Sequence, residues 1–154
     1  SELVAEFNEL GHKVSIVSAA AGNKMTPLLI PLRKNMMKRC ISNLLSNGIK
    51  YGQCVACSLV ENAESVELVF ADKGPGLPVN QLDKVFEPFY RLESSRNKTS
   101  GGHGLGLAIC LQIAKAHGGN VTLENDLHKG LIARLTLPKS GKEYEATMIA
   151  QSIR

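Results

Sequence analysis

The chain contains no tryptophan, and its aromatic share is only 5%. That leaves no platform of exposed rings on which nucleic acid bases could stack. It has no apolar run of the ~18 or more residues that a spanning helix needs. The opening segment "SELVAEFNEL" carries acids and no basic stretch ahead of a long apolar core, so it does not read as a signal peptide. Charge of one sign is not in large excess either: 18 basic against 14 acidic side chains leave a net +4. The basic residues are scattered except in "PLRKNMMKR" (31–39), which reads as a solvated helix face in preference to a nucleic acid patch. Cysteines number four. Cys54 and Cys57 form a C-x-x-C, but no second pair follows to complete a zinc site. Residues three apart on a strand also face opposite ways, so these read as small buried thiols of a reducing compartment. Two phosphate-binding patterns are missing as well: neither G-x-x-x-x-G-K-[ST] nor G-x-G-x-x-G occurs.

What is present suffices for one domain. Apolar residues make up 44% of 154, enough to fill a core. Residues 2–10 read as a short helix, and "HKVSIVSA" alternates as a strand. "PLLIP" is a brief extended piece between prolines. A long helix is expected from about Leu32 to Tyr51, with Ile41, Leu44, Leu45 and Ile49 on its buried face. Strands are expected over 53–62 and 65–72, and an irregular stretch with short turns near 81–85 runs on to about Ser100. A helix beginning near Leu107 ends at "HGG", where Gly118 or Gly119 can cap it. "NVTLEND" and "GLIARLTLP" form a closing strand pair. Hairpin-paired strands with helices on one face make an α+β fold, a two-layer sandwich with a mixed sheet. The domain is expected over 1–138, with a polar tail from 139 to 154.

Four stretches could carry chemistry. Asn43, Asn47 and Lys50 lie at i, i+4 and i+7 of the long helix, with Tyr51 beside them and pointing away from Ile41, Leu44 and Leu45. An amide oxygen suits Mg²⁺ and a lysine suits phosphate, although such a stripe also reads as a solvated polar face. In "FADKGPG" one acid ends a strand before two glycines, as an ordinary turn would have it or as a purine site would. "VFEPFYR" sets two phenylalanines three apart in a polar loop, where they could pin a mobile segment to the core or equally form a satellite hydrophobic cluster. "TSGGHGLGLAIC" packs four glycines ahead of an apolar helix. So much backbone without side chains means either a loose turn or a close approach to a ligand.

Taken in order, "NLLSNGIKYG", "DKGPG", "FEPFYR" and "GGHGLGLAI" resemble the N, G1, F and G2 boxes of the ATP-binding catalytic domain of sensor histidine kinases. These kinases share a superfamily with gyrase, chaperone and mismatch-repair ATPases, and the F box favours the kinases among them. The resemblance covers roughly residues 3–138 and implies ATP and Mg²⁺ as cofactors. It makes Asn47 the metal ligand, with Asn43 close by where many relatives have Glu. Lys50 would approach the phosphates and Tyr51 flank the adenine. Asp72 would hold the adenine amino group, with Gly74 and Gly76 beneath the ring. Gly102, Gly104 and Gly106 would offer backbone N–H groups to the triphosphate at a helix start, with Leu105 and Leu107 anchoring the loop. His103 reads as a spectator. Residues from about 87 to 103 would form a lid whose Arg91, Arg96 and Lys98 are phosphate candidates.

None of His12, His103, His117 or His128 stands in the H-E/D-x-x-x-P setting of the family's phosphoacceptor. The resemblance therefore implies a catalytic half that acts on a separate helical dimerisation domain, with a response regulator downstream. It further implies a monomeric isolated domain, a homodimeric full-length kinase, and a cytoplasmic position in an inner-membrane sensor. Nucleic acid is not an expected partner. An anti-sigma-type serine kinase and a non-catalytic module of the same fold are the rival readings.

Overall fold

The computed structural model of the protein describes residues 2–11, 13–18, 32–91 and 104–139. Its strands are Lys13–Ser18 (β1), Cys54–Glu61 (β2), Ser65–Asp72 (β3), Asn120–Asn125 (β4) and Leu131–Pro138 (β5). They form one sheet in the order β1-β2-β3-β5-β4. The expected hairpins are there: β2 pairs antiparallel with β3 and β4 with β5, while β3 and β5 join the two pairs at the centre. β1 runs parallel to β2, with Val14 beside Val55. A parallel neighbour needs a long crossover, and the helix Lys34–Gly52 (α2) lies within it.

The sheet has two unlike faces because side chains alternate along each strand. Val55, Phe70, Val121, Ala133, Leu135 and Leu137 point into the core. The other face carries Glu67, Arg134 and Glu124 on three adjacent strands. There Arg134 Nη2 meets Glu124 Oε1 at 2.6 Å and Nη1 lies 3.7 Å from Glu67 Oε2. The helix Glu2–Glu9 (α1) packs on edge strand β1. Its Asn8 amide bonds the N–H and the C=O of Val14, at 2.9 and 3.0 Å, and so occupies part of the exposed edge.

α2 and the helix Gly106–Ala116 (α3) cover the core face and run antiparallel. α2 buries Met37, Cys40, Leu44, Leu45, Gly48 and Gly52. Ile41 and Ile49, expected on this face, sit at its margin and are half-buried. The helix stops where Gln53 turns left-handed at φ 63° and donates its N–H to Ile49 O. α3 ends in a Schellman pair: Gly118, at φ 73°, bonds Lys115 O, and Gly119 N–H reaches back to Ala114 O. Cys40 and Cys110 are fully buried where the helices cross, and each thiol faces the other's carbonyl, at 3.8 and 3.4 Å. The hydrogen bond to Cys40, with burial next, pushes the Cys110 thiol far above its ordinary range. His117 ties the far ends of the two helices, since its Nε2 accepts from Arg33 N–H at 3.1 Å and its Nδ1 lies 2.7 Å from Ile113 O.

The irregular stretch after β3 contains two 3-10 turns, Val79–Gln81 and Lys84–Phe86, close to the expected turns. The extended piece expected at "PLLIP" and the tail from 140 onward lie outside the described residues.

Candidate functional site

Between α2, the end of β3, the loop that follows it and the start of α3 lies a cavity of about 1130 Å³. Its described wall holds three cations, Arg39, Lys50 and Arg91, against one acid, Asp72. Such a balance suits a polyanionic ligand with one group to be tethered.

Asp72 is the most tightly built part of this wall. It is the last residue of β3 and is buried. Its Oδ1 accepts the N–H of Gly74 at 2.8 Å and of Leu131 at 3.1 Å. Oδ2 has no hydrogen-bond partner among the described residues and is left for a ligand. Three neighbours allow this seat because they have no side chain. A Cβ at Gly52 or Gly130 would overlap Asp72 itself, and one at Gly74 would come within 2.7 Å of Tyr51 O. Gly74 is thus behind the carboxylate and does not line the cavity, whereas Gly76 does. On the far side Asn125 clamps the loop: its Oδ1 accepts Leu77 N–H at 2.8 Å and its Nδ2 donates to Leu77 O at 2.7 Å.

The opposite wall is α2. Asn43, Asn47, Lys50 and Tyr51 all line the cavity. They sit within a little over a quarter-turn of one another on a helix of 3.6 residues per turn. Asn43 and Asn47 face the first residue of α3: a Cβ on Gly106 would lie 3.8 Å from Asn47 Nδ2 and 3.9 Å from Asn43 Cγ. The paired thiols one turn further along set this spacing between the helices. Lys50 Nζ stands 5.1 Å from the Tyr51 ring centroid, a cation–π distance. Gly104, Leu105, Gly106 and Leu107 close the cavity where α3 begins. Gly102, His103, Arg96 and Lys98 lie outside the described residues, as does most of the expected lid, 92–103.

The space between the asparagine pair and α3 suits a hydrated hard cation. Mg²⁺ takes one or two protein oxygens and completes its shell with water and ligand phosphates. The amide oxygens of Asn43 and Asn47 are donors of that kind, and glycine at 106 leaves room beside them. Among the described residues no cluster of three His, Cys, Asp or Glu side chains offers a competing metal site.

The two phenylalanines of "VFEPFYR" are placed differently from each other, so neither the pinning nor the satellite-cluster reading holds for both. Phe86 packs against the core, but Phe89 is 72% exposed. Sequence reading also missed Gly52, Asn125 and Arg39. Gly48 and Gly52 stand four apart inside a helix, where glycine is costly, and that cost is a signal of close packing. Asn125 had no signal, since its partner Leu77 is distant in sequence.

The profile of the family described as "Histidine kinase-, DNA gyrase B-, and HSP90-like ATPase" matches residues 33–141. The chain is 47% identical over 107 residues to the sensor histidine kinase GtrS of Pseudomonas aeruginosa, covering 70% of this chain and 22% of that protein. It is 41% identical over 108 residues to the signal transduction histidine-protein kinase BaeS of Escherichia coli, covering 68% and 23%. The chain therefore spans less than a quarter of the length of these relatives. Among solved structures, the ATP binding domain of PrrB from Mycobacterium tuberculosis superposes with a TM-score of 0.68 at 26% identity, covering 89% of this chain and 88% of that one.

Proposed function

Because this chain belongs to the family of histidine kinase-, DNA gyrase B- and HSP90-like ATPases, we propose that it binds ATP with Mg²⁺ and donates the γ-phosphoryl group to a histidine on a separate helical domain of the same kinase. One observation carries the reading. A single cavity joins the free Oδ2 of Asp72, the Asn43–Asn47 pair and the glycine-bearing start of α3, three features far apart in the chain.

Each part has a task that its chemistry suits. Asp72 Oδ2 accepts the exocyclic amine of adenine, Gly76 admits the flat ring, and Tyr51 flanks it. Lys50 neutralises phosphate charge. Gly104 and Gly106 let main-chain N–H groups approach the phosphates at the helix start, where the dipole favours anions. Asn47, with Asn43 beside it, would hold Mg²⁺, which shields the phosphate charge when bound.

In the transfer, a neutral imidazole nitrogen of the acceptor attacks the γ-phosphorus and a P–N bond forms. The P–O bond to the β-phosphate breaks, ADP leaves with its electron pair, and the imidazole N–H proton passes to a base on the acceptor's own domain. Positioning and charge neutralisation are this chain's share of the work. The phosphoryl group then moves to a response regulator. We place the domain on the cytoplasmic side of an inner-membrane sensor that dimerises through its acceptor helices. Among the described residues no helix is long and apolar enough to cross a membrane.

Isothermal titration of this chain with a non-hydrolysable ATP analogue and Mg²⁺ tests the binding step. Heat that saturates at submillimolar nucleotide is expected, and none at millimolar nucleotide refutes it. Transfer is tested on the full-length kinase with labelled ATP. Acid-labile, base-stable label marks phosphohistidine, whereas acid-stable label would assign a serine kinase.

A further inference from the structure

In the sequence Arg39 closes a basic run that reads as a solvated helix face. In the structure it lines the cavity. The two other cations of that wall are engaged: Lys50 lies over the Tyr51 ring, and Arg91 has an interaction partner. On the next residue back, Lys38 leans toward Glu6 at 3.9 Å. Arg39 differs from all three, since among the described residues no hydrogen bond or ion pair holds its guanidinium.

Its position along α2 decides what it can meet. Arg39, Asn43, Asn47 and Lys50 fall on one stripe, which at 1.5 Å per residue extends about 16 Å. The stripe has a direction. At its C-terminal end Gly52 packs on Asp72 and Tyr51 O crowds Gly74, so that end belongs to the tethered base. In its middle Asn43 and Asn47 face Gly106 at the start of α3. Arg39 is one turn further, about 6 Å along the axis, and lines the same cavity. A nucleotide laid from Asp72 past the asparagine pair points its last phosphate at Arg39.

We propose that Arg39 holds the terminal phosphoryl group of the bound nucleoside triphosphate. The inference rests on the nucleotide reading above. A guanidinium suits this place because its planar fork pairs two phosphate oxygens at once and never loses its charge. The group being transferred spreads charge over its outer oxygens, so a fixed cation there both orients it and neutralises it. A diphosphate ends before reaching this residue, and Arg39 thereby separates substrate from product.

The test compares Mg²⁺ with ADP and with a non-hydrolysable ATP analogue on the wild-type chain, Arg39→Ala and Arg39→Lys. Arg39 is exposed and has no partner among the described residues, so the variants should fold; matching circular dichroism and melting curves check it. The expected result is a loss of roughly tenfold or more for the analogue in Arg39→Ala, a smaller loss in Arg39→Lys, and less than about twofold change for ADP. Equal losses for both nucleotides, or none for either, overturn the proposal while leaving nucleotide binding intact. Unchanged affinities with slower transfer in the full-length kinase also overturn it and assign Arg39 to docking of the acceptor domain. If the wild-type chain binds neither nucleotide, the nucleotide reading itself fails and this one falls with it.

Discussion

The Phe89 N–H donates to the Gly104 carbonyl at 3.0 Å. The strands of chain that flank residues 92–103 are therefore stitched together beside the cavity, and both residues are left-handed, at φ 65° and 71°. A Cβ on Gly104 would stand 2.7 Å from Tyr90 O and 2.9 Å from Phe89 C. Backbone atoms cannot turn aside as a side chain can. Gly104→Ala should lose the ~1–2 kcal/mol of left-handed strain plus the cost of that overlap, and bind nucleotide several-fold more weakly. Phe89→Gly, which keeps the backbone and removes an exposed ring, should melt near the wild type. Thermal denaturation of the two variants checks the contrast, and a wild-type melting point for Gly104→Ala would refute it.

Asp72 has two separable duties. Asn at 72 keeps an oxygen for Gly74 and Leu131 but loses the charge offered by Oδ2. Asp72→Asn should therefore stay folded and lose about 1.5–3 kcal/mol of nucleotide binding, the value of a charge-assisted hydrogen bond. Asp72→Ala should in addition lose stability, because two backbone N–H groups would lack their acceptor. Urea unfolding alongside calorimetry separates the effects. Equal affinity of Asp72→Asn and wild type would remove Asp72 from the base pocket.

Asn47→Ala should weaken the advantage that Mg²⁺ gives to nucleotide binding. The ratio of affinities measured with Mg²⁺ and with chelator is expected to fall toward one. If the ratio is unchanged, the metal is held elsewhere.

His117 stands outside the cavity but ties its two helices together. Its Nε2 accepts a backbone N–H, so the ring proton must sit on Nδ1, toward Ile113 O. Long-range nitrogen–proton correlation spectra should show that tautomer. His117→Ala should cost roughly 0.5–1.5 kcal/mol of stability, from the loss of the part-buried hydrogen bond that joins the helix ends. An Nε2–H tautomer would contradict the contact.

Burial pushes the Cys57 thiol from 9.0 to about 11. The folded state thus favours the protonated thiol. The stability this contributes is complete below pH 9.0, where unfolded and folded forms are both protonated, and is lost as pH rises to about 11. Alkylation follows thiolate content. Cys57 and Cys110 should resist iodoacetamide in the native protein at neutral pH and react on unfolding. Rapid native labelling of Cys57, read by peptide mass, would count against the shielding of this thiol, which is half-buried against the core.

The sequence by itself determined most of the elements and which residues stood out as candidates for the site. Strand alternation and the spacing of Leu44 and Leu45 are local properties of the chain, and so are the glycine-bearing turns at 74–76 and 104–106. Asn43, Asn47, Lys50, Tyr51 and Asp72 were all legible as candidates, and the structure brings them to one cavity. Tertiary structure alone decided the rest, because it depends on partners far apart in the chain. Gly74 became a support for Asp72 and not a floor for a ring. Asn125 became a clamp on Leu77, and His117 a tie to Arg33. Arg39 turned from a solvated charge into part of the cavity wall. Periodicity fixes which face a residue takes on its own helix or strand, but only packing of α2 against α3 and the end of β3 fixes what that face meets.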